Sequence, residues 1–195
     1  MSDADTTTAA TATSNTGPRD DRAHWDARYR ARDQAEPAAE DPPGPPDALQ
    51  RLASLLPATG RVVDLAGGDG GGGLFLARRG LEVTIGDISE VALRRAAGFA
   101  ERSELALETA SIDLAGIGLR DAIVAAGVLT PAPAAVTCWS YLSRPLLSSV
   151  ADELPSGCRF LTAIATTTNL ERNARPPARF LLAAGELAEL VVGPN

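Results

Sequence analysis

Three aspartates and a run of glycines carry the chemistry legible in this chain. Asp64 precedes Ala66-Gly67-Gly68-Asp69-Gly70-Gly71-Gly72-Gly73, and Asp87 and Asp113 follow, each behind a stretch of strand-forming residues. Glycines let backbone approach a ligand with no Cβ in the way. Acids beside such a loop favour a ligand with positive charge and oppose one carrying phosphates. Gly68 to Gly73 satisfies the dinucleotide pattern G-x-G-x-x-G, but a run this rich in glycine satisfies it almost automatically. A pyrophosphate at this loop would meet Asp64 and Asp69. No Gly-Lys-Ser/Thr follows, and all 18 basic residues are arginine. A phosphate-binding P-loop lysine and a Schiff-base lysine are therefore excluded.

S-adenosylmethionine fits these acids better. It has no phosphate, and it carries an ammonium and a sulfonium. Asp87 ends a strand where a carboxylate can accept both ribose hydroxyls. Asp113 ends the next, where an acid can accept the adenine amino group. In such a sheet the carboxyl ends of adjacent strands face the ligand crevice.

Composition removes other classes. His24 is the only histidine and Cys138 and Cys158 are the only cysteines, so no zinc or iron–sulfur spacing exists and no metal is expected. A histidine-assisted nucleophile would have to use His24, close to the N-terminus. The net charge is −7 and no basic stripe is visible, which argues against nucleic acid. No apolar run approaches the ~18 residues of a membrane span, and no basic-then-apolar leader opens the chain. The expected location is the cytoplasm, with both cysteines free.

The elements that must position the acids read as alternating β and α. Residues 1–19 are expected to be disordered. Residues 20–45 hold a helix over 20–32, with Trp25 and Tyr29 on one face, and a Pro-rich linker. Residues 46–195 form the domain. Its helices are expected over 46–56, 71–79, from Ser89 to Arg102, 116–128, 143–153 and 184–191. Its strands are expected over 61–65, 81–86, 105–112, 134–139 and 158–165, with a long polar loop over 167–183. This alternation implies an α/β fold with a parallel sheet and right-handed crossovers. Cys138 and Cys158 then sit about a strand length apart, too far for a disulfide.

Asp64-Leu-Ala-Gly67-Gly68-Asp69-Gly70 resembles the D-x-G-x-G-x-G loop of class I S-adenosylmethionine-dependent methyltransferases, with Ala66 where glycine is usual. Within them the chain is most similar to the tellurite-resistance and thiopurine types. Trp25-Asp-Ala-Arg-Tyr29, Val83-Thr-Ile-Gly-Asp87-Ile-Ser89, Ser140-Tyr-Leu-Ser-Arg144-Pro and Arg179-Phe-Leu-Leu-Ala-Ala-Gly-Glu186 carry that likeness. It implies a Rossmann-like sheet in the order 3-2-1-4-5 with helices on both faces. It implies that Asp64, Ala66, Gly67, Gly68 and Gly70 line the methionine end, that Asp87 and Ile88 hold the ribose, and that Asp113 meets the adenine. Cys138, Trp139 and Tyr141 would flank the sulfonium and the substrate, with Trp25 and Tyr29 closing the pocket. The acceptor would be a small molecule met by Tyr141, Arg144 and Arg179, with Tyr141 and Glu186 as candidate acid–base groups. The family's usual sheet has seven strands, and this chain stops at Asn195, where the last two should begin. Strand five is then an uncovered apolar edge, through which self-association is expected. Two alternatives stand beside this reading. One is a non-catalytic remnant that still binds S-adenosylmethionine. The other is an NAD(P)-dependent oxidoreductase, which the acids oppose.

Overall fold

A computed structural model describes residues 21–35, 41–128 and 130–192. The tail over 1–19 and part of the Pro-rich segment lie outside them. The described chain opens with helix α1 (Asp21–Ala35), then α2 (Asp47–Arg51) and a 3-10 turn (Ala53–Leu55). Strand β1 (Arg61–Leu65), α3 (Gly71–Arg78), β2 (Glu82–Asp87), α4 (Glu90–Arg102) and β3 (Leu107–Ser111) follow. Next come α5 (Leu119–Ala125), β4 (Ala135–Trp139), α6 (Arg144–Glu153), β5 (Arg159–Ala163) and, after two 3-10 turns, α7 (Glu186–Val192). The sheet among the described residues has five strands in the order β3-β2-β1-β4-β5, all parallel.

The strands sort by composition. β1, β2 and β4 are buried along almost their whole length, as strands covered on both faces are. β3 (Leu-Glu-Thr-Ala-Ser) lies on an edge and is mostly exposed. The period of two then divides the core. Val63, Leu65, Val136 and Cys138 pack with Leu119, Ile123, Leu146 and Val150 on the α5–α6 face. Val62, Ala135 and Trp139 pack with Leu49, Leu76, Ile85 and Leu93 on the other. Asp64 and Thr137 share the second face, so the strand's one acid is driven under α3.

The helix ends obey local chemistry. Gly80, at φ +84°, follows the last turn of α3, with Gly80 N–H donating to Ala77 and Leu81 N–H to Leu76, the Schellman arrangement. The Ser89 hydroxyl accepts from Ala92 N–H at the start of α4, and Ser143 does the same for Leu146 N–H at α6.

Three expectations need correction. The helix expected over 46–56 breaks after Arg51 into the 3-10 turn, because the chain must turn into β1 within a few residues. The helix expected over 116–128 is confined to Leu119–Ala125, between Gly118 and Gly127, the latter at φ +74°. The 167–183 segment is no plain polar loop. Thr166 bridges Leu182 in parallel, and Leu181 and Leu182 are buried. No described helix is long and apolar enough to cross a membrane.

Candidate functional site

A cavity of about 230 Å³ opens at the carboxyl ends of the strands. Four of the five strand ends contribute to its wall: Ala66 after β1, Asp87 and Ile88 at β2, Ile112 to Ala115 after β3, and Trp139 to Tyr141 at β4. Helix α1 closes the remaining side with Asp21, Trp25 and Tyr29. The wall thus holds three carboxylates and four aromatic rings, and among the described residues no arginine or histidine lines it. Two wall residues other than glycine have left-handed backbone, Ala66 at φ 52° and Ser140 at φ 57°. That conformation is uncommon without glycine. It turns the chain sharply off β1 and β4 and leaves the crevice open. Position 66 is where the resembling loops carry glycine.

Asp87 is 8% exposed and ties the loop to the sheet. Its Oδ2 accepts from Gly68 N–H at 2.9 Å and its Oδ1 from Ser89 N–H at 2.8 Å. Burial pushes its pKa up, opposed by those two backbone donors. Asp113 is exposed, and its Oδ1 accepts from Ala115 N–H at 2.9 Å.

The two acids nearest the glycines do not line the cavity. Asp64 is fully buried beneath the loop, where its Oδ1 accepts from the Thr137 hydroxyl at 2.6 Å. Its Oδ2 has no hydrogen-bond partner. Burial pushes its pKa up to about 7, the Thr137 bond opposing and the Asp87 charge adding. Asp69 turns to helix partners instead, with Arg32 at 2.9 Å and Arg95 at 3.5 Å. Arg95 also pairs with Asp33. Asp69 is therefore compensated, and the acids that set the cavity's charge are Asp21, Asp87 and Asp113.

The glycine run is packing. A Cβ at Gly72 would stand 2.8 Å from Asp64 Oδ2, at Gly73 2.5 Å from Ile85 Cδ1, and at Gly70 2.9 Å from the Ala96 methyl. At Gly71 it would stand 2.6 Å from the Gly44 carbonyl oxygen. The described end of the Pro-rich segment therefore lies against the start of α3 and is not a free spacer. At Gly68 (φ +57°) a Cβ would come within 2.4 Å of the Tyr29 hydroxyl, so α1 reaches across to the loop.

Polar contacts seat α1. The Ser89 hydroxyl donates to Asp26 Oδ1 at 2.6 Å, and Val91 N–H donates to the same oxygen at 3.3 Å. Arg22 meets Ser111 at 2.9 Å and Glu90 at 3.3 Å. Burial pushes the Tyr29 and Tyr141 phenols up to about 12, with nearby carboxylates adding.

Of the residues singled out in the sequence, the structure gathers Trp25, Tyr29, Ala66, Asp87, Ile88, Asp113, Trp139 and Tyr141 around one cavity. Gly67, Gly68, Gly70 and Asp64 do not line it, and Cys138 is buried with its side chain in the α5–α6 core. Arg144, Glu186 and Arg179 are not brought to it. Arg144 and Glu186 pair with each other at 2.5 Å, joining α6 to α7, and Arg179 stacks on Phe180. Asp21, Ile112, Leu114, Ala115 and Ser140 escaped the sequence reading. Asp21 had one signal, a place four residues before Trp25 on the same helix face. Among the described residues no three His, Cys, Asp or Glu side chains gather where they could hold a metal ion.

No family model matches the sequence, and no curated protein matches it. Solved structures do match in fold. A TehB-like S-adenosylmethionine-dependent methyltransferase from Corynebacterium glutamicum aligns with 87% of this chain and 82% of its own, at TM-score 0.57 and 14% identity. A protein described for converting a disulfide bond into a thioacetal group during echinomycin biosynthesis aligns with 87% of this chain and 77% of its own, at TM-score 0.58 and 20% identity. A methyltransferase from Thiobacillus denitrificans, solved with S-adenosyl-L-homocysteine, aligns with 80% and 66%, at TM-score 0.52 and 19% identity. The chain thus has the Rossmann-like fold that S-adenosylmethionine-dependent methyltransferases use.

Proposed function

We propose that this chain binds S-adenosylmethionine in the cavity at the strand ends and transfers its methyl group to a small-molecule acceptor. The observation that carries the reading is the lining: Asp21, Asp87 and Asp113 with four aromatic rings and, among the described residues, no basic side chain. A pyrophosphate would find three carboxylates and no compensating cation there, which disfavours a dinucleotide. S-adenosylmethionine, whose ammonium and sulfonium outweigh its single carboxylate, finds complementary charge. The Asp64 and Asp69 carboxylates, which the sequence set against a pyrophosphate, contribute less, one being buried and the other paired.

Asp87 would hold the ribose hydroxyls with the lone pairs that Gly68 and Ser89 leave free. Ile88 would pack on the nucleoside and Asp113 would accept from the adenine amino group. Ala66, Gly67, Gly68 and Gly70 would form the floor under the methionine end, and Trp25 and Tyr29 would cover it. Bound S-adenosylmethionine supplies an electrophilic methyl group on a sulfonium. The chain's part is to hold acceptor and methyl carbon in line and to exclude water, which is where most of the acceleration of such a displacement arises. Tyr141 keeps its proton at neutral pH and serves as a donor or a wall. The buried free thiols of Cys138 and Cys158 accord with a reducing, cytoplasmic location. The net charge of −7 opposes a nucleic-acid partner.

Calorimetric titration of the full chain with S-adenosylhomocysteine and with NAD tests this. Heat with the first and none with the second is expected. No binding of S-adenosylhomocysteine would defeat the reading.

A further inference from the structure

The methyl acceptor is constrained by the part of the wall that the nucleoside leaves over. With Asp87, Ile88 and Asp113 assigned to the nucleoside and Tyr29 to the methionine end, that part is Asp21, Trp25, which borders cofactor and acceptor alike, and the Trp139-Ser140-Tyr141 turn after β4. Its charge is negative. Among the described residues, Arg22 is engaged with Glu90 and Ser111 and Arg144 with Glu186, while Arg28 stacks over the Trp25 ring at 5.2 Å and does not itself line the cavity. An anionic acceptor would meet carboxylates with no lining guanidinium among the described residues and only the cofactor's sulfonium to offset them. The proton acceptors of the wall are the carboxylates themselves, and one that took up a proton would lose the charge that faces a cation. Among the described residues no histidine lines it, and Tyr29 and Tyr141 hold their protons up to about 12.

We infer that the acceptor is a neutral tertiary amine or thioether and that it leaves as an onium cation held by Asp21 between Trp25 and Tyr141. The inference rests on the methyltransferase reading. The acceptor's lone pair forms the new bond to the methyl carbon, the bond from that carbon to the sulfonium sulfur breaks, and its electron pair stays on that sulfur. No proton is released. One positive charge passes from donor to product, so the cavity faces a cation before and after transfer. Carboxylates and aromatic faces stabilise such a cation in both states. A thiolate would bring its own negative charge to the same wall, and the transfer would leave three carboxylates facing neutral products.

The test uses the full chain saturated with S-adenosylhomocysteine, into which phenyltrimethylammonium and benzenesulfonate are titrated separately. The two probes match in size and differ in charge. The ammonium is expected to bind at least ~tenfold tighter, and Asp21→Asn to lower its affinity by ~threefold or more. With methyl-labelled S-adenosylmethionine, thioanisole is expected to give a labelled sulfonium and 4-mercaptobenzoate to react more slowly. Equal or tighter binding of the sulfonate, or faster methylation of 4-mercaptobenzoate, overturns the inference while leaving the cofactor reading intact. Failure of S-adenosylhomocysteine itself to bind would remove both.

Discussion

The β1–α3–β2 cradle and helix α1 close the same cavity from two sides, yet different forces hold them. The cradle is dry. Leu74, Leu76, Ile85 and Leu65 are essentially inaccessible, and the glycines of the loop fit against Asp64, Ile85, Ala96 and the Gly44 carbonyl with no room for a methyl group. Helix α1 buries no residue fully. It is seated by Asp26 on Ser89, by Arg22 on Glu90 and Ser111, and by Arg32 and Asp33 on Asp69 and Arg95. Exposed ion pairs contribute ~0–1 kcal/mol each and weaken in salt. Close-packed apolar contacts are worth more and respond to volume. The cradle should therefore fail only with the whole domain, whereas α1 can leave the surface by itself, as low-stability elements around ligand sites do.

The largest expected effect lies under the loop. Asp64 has a folded pKa of about 7, well above the ordinary carboxylate value. The native state therefore keeps this proton longer than the unfolded chain does. The stabilisation is complete at low pH and is lost as pH rises from ~4 through about 7. Between pH 5 and pH 8 the domain should lose ~2–3 kcal/mol of unfolding free energy from this group alone. Asp64→Asn, which keeps the Thr137 contact and cannot ionise, should flatten that dependence in urea unfolding. A residual slope of the same sign is expected from Asp69 and Asp87, which burial also pushes up. An unchanged slope in Asp64→Asn would show that the acid is not confined as described.

Gly73→Val comes next. The added Cβ alone would stand 2.5 Å from Ile85 Cδ1. Overpacking of this kind costs ~1–3 kcal/mol, a fall of several degrees in Tm for a domain of this size. Gly68→Ala sharpens the contrast, because its Cβ meets only the tip of Tyr29 and the left-handed backbone at φ +57° adds about 1 kcal/mol. It should loosen α1, raising proteolysis around residues 21–35, and lower Tm by less than Gly73→Val. Asp26→Ala leaves the buried Ser89 hydroxyl without its acceptor and should cost ~1 kcal/mol, read as faster hydrogen exchange in α1. The smallest effect is that of salt. Raising NaCl from 0.1 to 1 M should increase cleavage within α1 while Tm hardly moves. If Tm falls in step with α1 cleavage, the two regions are one cooperative unit and the comparison fails.

The same contrast explains what the sequence made legible. Strand composition, the Ser89 cap and Gly80 are local signals, and every strand and most helices sit where these place them. Asp87 could be placed because its position in the cavity wall depends on the end of one strand. Asp64 and Asp69 could not, since their fate depends on Thr137 across the sheet and on Arg32 and Arg95 from two helices. Arg144 and Glu186 looked available for chemistry because residues 42 apart give no sign that they pair. The excess of glycine after Gly70 had no local explanation, and it acquired one only when Ile85, Asp64 and the Gly44 carbonyl were seen against it. Asp21 sits on an exposed helix start, where an acid is ordinary.

Hydrogen exchange of the full chain with and without S-adenosylhomocysteine tests the central claim most directly. The account predicts slower exchange in residues 21–35, 66–70, 86–89 and 112–115, the segments around the cavity, with little change elsewhere. Unchanged exchange in those segments, or protection appearing instead around the hollow lined by Arg120, Ile123 and Asp152 at α5 and α6, would contradict it.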